Sequence, residues 1–225
     1  MKEVPSKTAC DSFLGPTGAT YVLAEMACAH DGDEGTARDL VDLACHAGAD
    51  GVQLQIIPFG DVISPFLPNY EQIKHLQMSM DAGRRILRHC SEKGLPVWAN
   101  VFNTASAELA IEEGAAVLKL HSSDLLNPDL MDAVGQSGKP ISLGVGGSTL
   151  DEISWAVLRL RERGVQDLIL MHGYQAYPTS ADDAHISFIQ TLMQIFGCPV
   201  GYQDHTDGDD IMAHVLPVVA IGVGA

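Results

Sequence analysis

Several short apolar runs in this chain end in side chains able to do chemistry. Glu25 closes the run that begins at Tyr21, Gln53 and Gln55 punctuate Gly51–Ile57, and Asn100 and Asn103 follow Val97-Trp98-Ala99. Further on come Lys119 and His121, then His172, then Gln203-Asp204-His205. A lysine inside the apolar run Val117-Leu118-Lys119-Leu120 needs an anionic partner, because an uncompensated charge is costly to bury. Strand alternation sends Lys119 and His121 to one side and leaves Ser122 and Asp124 to the following loop. Asp204 beside His205 is a carboxylate next to an imidazole, a pairing suited to a metal ligand or a general base. Gly144-Val145-Gly146-Gly147-Ser148 precedes a helix, where backbone amides can hold an anion.

Each residue also has a plainer reading. Lys119 can extend its stem to the surface, His205 can cap a loop, and Gln53 and Gln55 can be barrel-layer residues hydrogen-bonded to their neighbours.

The elements that must position these side chains alternate. The spacing predicts strands over Tyr21–Met26, Gly51–Ile57, Val97–Val101, Ala116–Leu120, Ile141–Gly144, Asp167–His172 and Val200–Gln203. Amphipathic periodicity predicts helices over Gly35–Ala47, Tyr70–Lys93, Ala105–Glu113, Pro128–Gln136, Thr149–Arg163 and Asp182–Phe196, and a last one over Asp209–Ile221 despite Pro217. Val223-Gly224-Ala225 reads as the opening of an eighth strand. Strand and helix in strict succession call for a parallel sheet, and seven strands with the start of an eighth suggest an α/β chain of the (β/α)8 TIM barrel class, its eighth strand incomplete. In such barrels chemistry sits at the carboxyl ends of the strands, which is where the polar residues fall.

Nothing divides residues 1–225 into composition regimes, so a single catalytic domain is expected, with a natural polypeptide that continues past Ala225. A net charge of −16 disfavours nucleic acid and anionic membrane, leaving small molecules as the expected partners. The five cysteines, Cys10, Cys28, Cys45, Cys90 and Cys198, lack a Cys-x-x-Cys spacing and read as reduced thiols. With no apolar leader in Met1–Ser12 and no long apolar stretch, a cytoplasmic protein is expected.

Four motifs in order carry a family resemblance: Ala24-Glu25 through His30-Asp31-Gly32; Gly48-Ala49-Asp50-Gly51-Val52-Gln53-Leu54-Gln55; Lys119 with Ser122; and Tyr177-Pro178-Thr179 followed by Gly201-Tyr202-Gln203-Asp204-His205-Thr206-Asp207-Gly208. In these the chain resembles the N-acetylneuraminate (sialic acid) synthase family, from about Val22 onward. The resemblance implies condensation of phosphoenolpyruvate with an N-acylated aldose to a 2-keto-3-deoxy sugar acid, in carbohydrate biosynthesis, with a divalent metal (Mn2+ or Mg2+) and a homodimeric assembly. It implies catalytic carboxylates at Glu25 and Asp124, a donor-binding pair in Lys119 and Ser122, a sugar-pocket residue in Tyr177 and a metal ligand in His205. Gln53, Gln55, Asn100, Gly144, Gln175 and Gln203 complete the substrate-binding set. The implied mechanism is attack of the enol carbon on a metal-polarised aldehyde, then water addition and loss of phosphate.

Gln53 stands where the family has Lys, Gly144-Val145 where it has Ser-Thr, Gln175 at an Asn, Gln203 at a Ser, Asn100 at a Thr, and Asp124 at a Glu. Loss of a lysine beside a dianionic phosphate removes a charge-assisted hydrogen bond. Two alternatives therefore stand beside the synthase: an aldolase- or lyase-like barrel enzyme with a non-phosphorylated donor, and a non-catalytic binding homologue.

Overall fold

The computed structural model describes residues 20–225; Cys10 and the segment Met1–Ser12 lie outside them. The elements within that range are β1 (Leu23–Glu25), α1 (Glu34–His46), β2 (Gly51–Ile56), α2 (Met80–Glu92), β3 (Val97–Val101), α3 (Thr104–Glu112), β4 (Val117–Leu120), α4 (Pro128–Gly135), β5 (Ile141–Gly144), α5 (Leu150–Glu162), β6 (Leu168–His172), α6 (Phe188–Phe196), β7 (Val200–Tyr202) and α7 (Met212–Val223). They fall into two compact units, one of residues 21–120 with 127–139, the other of residues 121–126 with 140–225.

In the first unit β1 to β4 pair side by side and parallel. The register sorts their side chains into two sides of opposite character. Val52, Leu54, Ile56, Val97, Ala99, Val101, Leu118 and Leu120 alternate onto one side and are buried. The other side carries Glu25, Gln53, Gln55, Asn100 and Lys119, with the buried Trp98 and Val117 at its start. Helices cover the apolar side, so α1 buries Ala37 and Val41, and α2 buries Ala82, Ile86, Leu87 and Cys90. Asp33 caps α1 by accepting from the Thr36 amide at 2.7 Å. Ion pairs link the two helices: Arg85 to Glu34 at 2.6 Å, and Lys93 to Asp42 at 2.9 Å.

In the second unit β5, β6 and β7 are again parallel. Leu143, Leu170 and Val200 share a buried side with His172, while Ser142 and Gly144 alternate to the other. Ile153, Ala156 and Leu160 of α5, with Ile189 and Leu192 of α6, are also buried.

Three expected elements change. The helix expected over Tyr70–Lys93 is broken: Gln77 is extended and Ser79 starts α2 afresh, its hydroxyl accepting from the Ala82 amide at 3.1 Å. The helix expected over Asp182–Phe196 begins only at Phe188, because His185 takes a left-handed φ of 42° that no continuous helix allows. Val223-Gly224-Ala225 opens no strand; α7 runs to Val223, and Gly224, with φ of 111°, caps it. Cys90 and Cys198 are buried, Cys28 and Cys45 half-buried, and all four are free thiols.

Candidate functional site

Burial and charge concentrate on the polar side of the first unit. Lys119 is 2% exposed, and its ammonium stands 4.0 Å from the Glu25 carboxylate. Burial lowers the Lys119 pKa to about 8, with Glu25 opposing the fall. Burial raises that of Glu25, although Lys119, the Ala27 amide and Gln55 pull the other way. The carboxylate is fixed from below by the Ala27 amide at 2.8 Å and touched by the Gln55 amide at 3.5 Å. Ala27 reaches that position through a left-handed φ of 47°. An acid and a base whose pKa values are drawn towards each other suit proton transfer.

Asn100 lies in register between Gln55 and Lys119. It is fully buried, and neither its amide nitrogen nor its amide oxygen has a hydrogen-bond partner among the described residues. Such an amide costs on the order of 1–3 kcal/mol unless something else pairs with it. Gln53, 2% exposed, sits in register with Glu25. Sequence reading assigned these five side chains individually; the register gathers them onto one side.

The second unit holds its own cluster around His205. The imidazole Nδ1 meets the Tyr174 carbonyl at 2.6 Å, and a carbonyl only accepts, so Nδ1 carries a proton. The Gln203 side-chain amide approaches Nε2 at 2.9 Å, and the Tyr177 hydroxyl at 3.2 Å. Tyr177 donates to Gln175 at 3.1 Å and lays its ring against the imidazole with centroids 4.4 Å apart. Thr179 ties this loop down: its amide donates to the His205 carbonyl, and its hydroxyl donates to the Tyr174 and Ala176 carbonyls.

Comparison with known proteins turns this geometry into a kinship. Residues 40–225 match the model of the NeuB family. The chain belongs to the NeuB family. An uncharacterized protein of Methanocaldococcus jannaschii is 33% identical over 215 residues, which cover 96% of this chain and 62% of that protein. The N,N'-diacetyllegionaminic acid synthase of Campylobacter jejuni is 26% identical, over 90% of this chain and 65% of its own. The chain thus spans a little under two thirds of the length of these curated relatives. Among solved structures, the N-acetylneuraminic acid (sialic acid) synthetase of Leptospira borgpetersenii, crystallised with citrate, superposes with a TM-score of 0.83 at 27% identity, over 91% of this chain and 70% of that one. A truncated 3-deoxy-D-arabino-heptulosonate 7-phosphate synthase of Thermotoga maritima shares the fold, with a TM-score of 0.72 at 15% identity, covering 93% of this chain and 73% of its own.

Other residues expected at a NeuB-family site are placed as follows. Ser122 and Asp124 bound a 3-10 turn after β4; Asp124 is buried, and the Ser123 hydroxyl reaches its carboxylate at 3.5 Å. Gly144 ends β5, and the glycine run after it serves packing. A Cβ on Gly146 would lie 1.7 Å from the Gly173 carbonyl oxygen, and one on Gly173 would lie 2.1 Å from the Gln203 carbonyl oxygen. The Val145 and Ser148 amides are spent on the Met171 and Val145 carbonyls. The start of α5, expected to suit an anion, already holds one: the Glu152 carboxylate accepts from the Thr149 amide at 2.7 Å in a capping box.

Two strand-end groups find their partners away from their chain neighbours. The Asp204 carboxylate serves Tyr202, at 3.0 Å, and the Thr206 hydroxyl and amide, at 2.6 and 3.1 Å, while the Tyr174 carbonyl orients His205. His172 turns to the helix-covered side, meeting the Ala184 carbonyl at 3.0 Å and packing edge-on against Phe188. Burial lowers its pKa and the Ala184 carbonyl raises it, the net shift being downward. Ser142, fully buried and unpartnered among the described residues, was missed; its signal was a hydroxyl inside the apolar run Ile141–Leu143. The Tyr174 carbonyl was missed too, since a backbone atom leaves no side-chain signal.

Among the described residues no three His, Cys, Asp or Glu side chains converge as a metal site needs. His205 offers one nitrogen, and Gln203 already covers it. These residues alone do not fit the divalent metal implied by the family resemblance, and no step below runs through one. No described helix is long and apolar enough to cross a membrane.

Proposed function

We propose that this NeuB-family chain belongs to an enzyme that condenses phosphoenolpyruvate with an N-acylated aldose to give a 2-keto-3-deoxy sugar acid and phosphate. The observation that carries this reading is the buried Lys119 ammonium 4.0 Å from Glu25, beside an Asn100 amide with no partner among the described residues. The sugar-acid synthases among its relatives support it.

In this reading Lys119 holds an anionic group of the donor, and Asn100, Gln53 and Gln55 pair with its oxygens or with sugar hydroxyls. The enol carbon attacks the aldehyde carbon, forming the carbon–carbon bond while the aldehyde oxygen takes a proton. Water then adds to the cationic carbon that bears the phosphate, giving one proton to Glu25, and the carbon–oxygen bond to phosphate breaks with its electron pair staying on phosphate, which also takes the proton of the new hydroxyl as that group becomes the 2-keto carbonyl. The raised pKa of Glu25 makes it a better proton acceptor than an ordinary carboxylate.

The test is phosphate release from phosphoenolpyruvate by the full-length protein over a panel of N-acylmannosamine-type sugars, with and without Mn2+. Lys119→Met should cut the rate about a hundredfold, as loss of one oxyanion-stabilising group does. Silence of the wild type across the panel counts against the synthase.

A second reading, an aldolase- or lyase-like enzyme with a non-phosphorylated donor, is favoured by Gln53, buried and neutral beside Glu25. That leaves Lys119 as the one cation on this side of β1 to β4. Tight phosphoenolpyruvate binding by calorimetry would exclude it.

A further inference from the structure

We infer that His30 is a positioning residue for Glu25, acting through the two groups that hold its carboxylate from the same end, the Ala27 amide and the Gln55 carboxamide. The inference rests on the reading of Glu25 as the proton acceptor of the condensation, and it concerns how that carboxylate is held.

His30 sits inside the turn that follows β1 and is 4% exposed. Its Nδ1 takes the Gly32 amide at 2.9 Å. A backbone amide only donates, so Nδ1 holds a lone pair, and the proton of the neutral ring is on Nε2. Burial favours that neutral ring, with Asp31 opposing. Among the described residues the ring bonds to Gly32 alone, which leaves the Nε2 proton to be placed.

The turn is tightly constrained. Ala27 and Asp31 take left-handed φ values of 47° and 54°, and a Cβ on Gly32 would lie 2.0 Å from the His75 carbonyl oxygen. By holding Gly32, the ring fixes from within the same turn whose first residues present the Ala27 amide to Glu25 at 2.8 Å.

His30 also lines a small cavity together with Ala27, Gln55 and Ser79, its other walls including the apolar Met26 and Met78. The cavity, about 20 Å3, has room for one water. The Gln55 carboxamide turns its nitrogen to Glu25 at 3.5 Å, because a carboxylate only accepts, and so keeps its oxygen for a donor. The Nε2–H of His30 is that donor, reaching the oxygen through a single water that has Ser79 as its third polar neighbour.

The experiment is the pKa of Glu25 in the full chain, followed by infrared titration of its carboxyl band, which is assigned by its absence from Glu25→Gln and needs no turnover. Ala27 and Gln55 both lower that pKa, so loosening either raises it. His30→Asn keeps an acceptor for the Gly32 amide but lacks the Nε2 donor, and should raise the Glu25 pKa by about half a unit. His30→Phe lacks both and should raise it by about one unit, the order of a lost hydrogen bond to a charged group. In a Gln55→Leu background His30→Asn should move it no further, since its route to Glu25 is gone. Thermal melts run alongside, and if His30→Phe fails to fold, His30→Asn decides. The wild type gives a second measurement: nitrogen NMR spectra at neutral pH should show the His30 proton on Nε2. A Glu25 pKa unmoved by both variants overturns the proposal. So does a His30→Asn rise that persists undiminished in Gln55→Leu, or a wild-type ring with its proton on Nδ1. Phosphate release from phosphoenolpyruvate reports on the condensation separately, and a silent enzyme leaves the titration readable.

Discussion

The Lys119 ammonium and the Glu25 carboxylate stand 4.0 Å apart, each with a pKa displaced by burial from its ordinary value. At that separation they attract without closing a tight ion pair. Lys119 contributes less to stability than its depth suggests, since desolvating its charge opposes folding.

The pH dependence of folding should show that opposition. The folded-state pKa of Lys119, about 8, lies below its ordinary 10.5, so between those values the unfolded chain binds more protons than the folded one. Stability therefore rises with pH through that window, and the penalty is fully present below it. The rise is at most about 3 kcal/mol. Denaturant unfolding of wild type and Lys119→Met between those limits should show the wild type gaining on the variant as pH rises. A constant difference would refute the assignment.

Asp204 should prove structural. Its carboxylate accepts from Tyr202 and twice from Thr206, so Asp204→Ala should lower stability by about 2 kcal/mol, the worth of hydrogen bonds to a charged group. Asp204→Asn, which keeps an acceptor oxygen, should recover part of it. Urea midpoints measure both. If either variant abolishes turnover with an unchanged midpoint, Asp204 has a chemical role instead.

Gly146→Ala should test the packing of the loop after β5. The new methyl would lie 1.7 Å from the Gly173 carbonyl oxygen, where only backbone movement relieves the clash. A loss of about 2 kcal/mol or more is expected by thermal melting, within the range for overpacking. Gly147→Ala meets no neighbour but sits at φ 77°, so it should cost only the strain of a left-handed alanine, about 1 kcal/mol. Equal losses would mean that the Gly173 backbone yields to the added methyl and that the close approach at Gly146 is not what the loop needs.

Much of the fold was legible because the sequence alternates strongly. Val97–Val101 and Ile141–Gly144 stand where the apolar runs place them, since a buried strand must be apolar along its helix-covered side. Lys119 was legible for the converse reason, a charge inside such a run being too costly without a purpose. Elements set by single backbone conformations were not. The left-handed φ at His185 shortens α6, and the hydroxyl cap at Ser79 splits the expected helix, and neither disturbs the hydrophobic period from which helices are read.

By itself, then, the sequence determined a strand-and-helix alternation with its chemistry at strand ends, together with the motifs that mark the NeuB family, because burial and periodicity are local properties of the chain. Only the tertiary structure decided which groups meet. It set Asn100 between Gln55 and Lys119, drew His205 to Tyr174 and Gln203 rather than to its neighbour Asp204, and turned His172 away to the helices. The reason is physical: strand register and loop packing bring together residues far apart in the chain, and a hydrogen bond depends on an approach of about 3 Å that residue types alone do not specify.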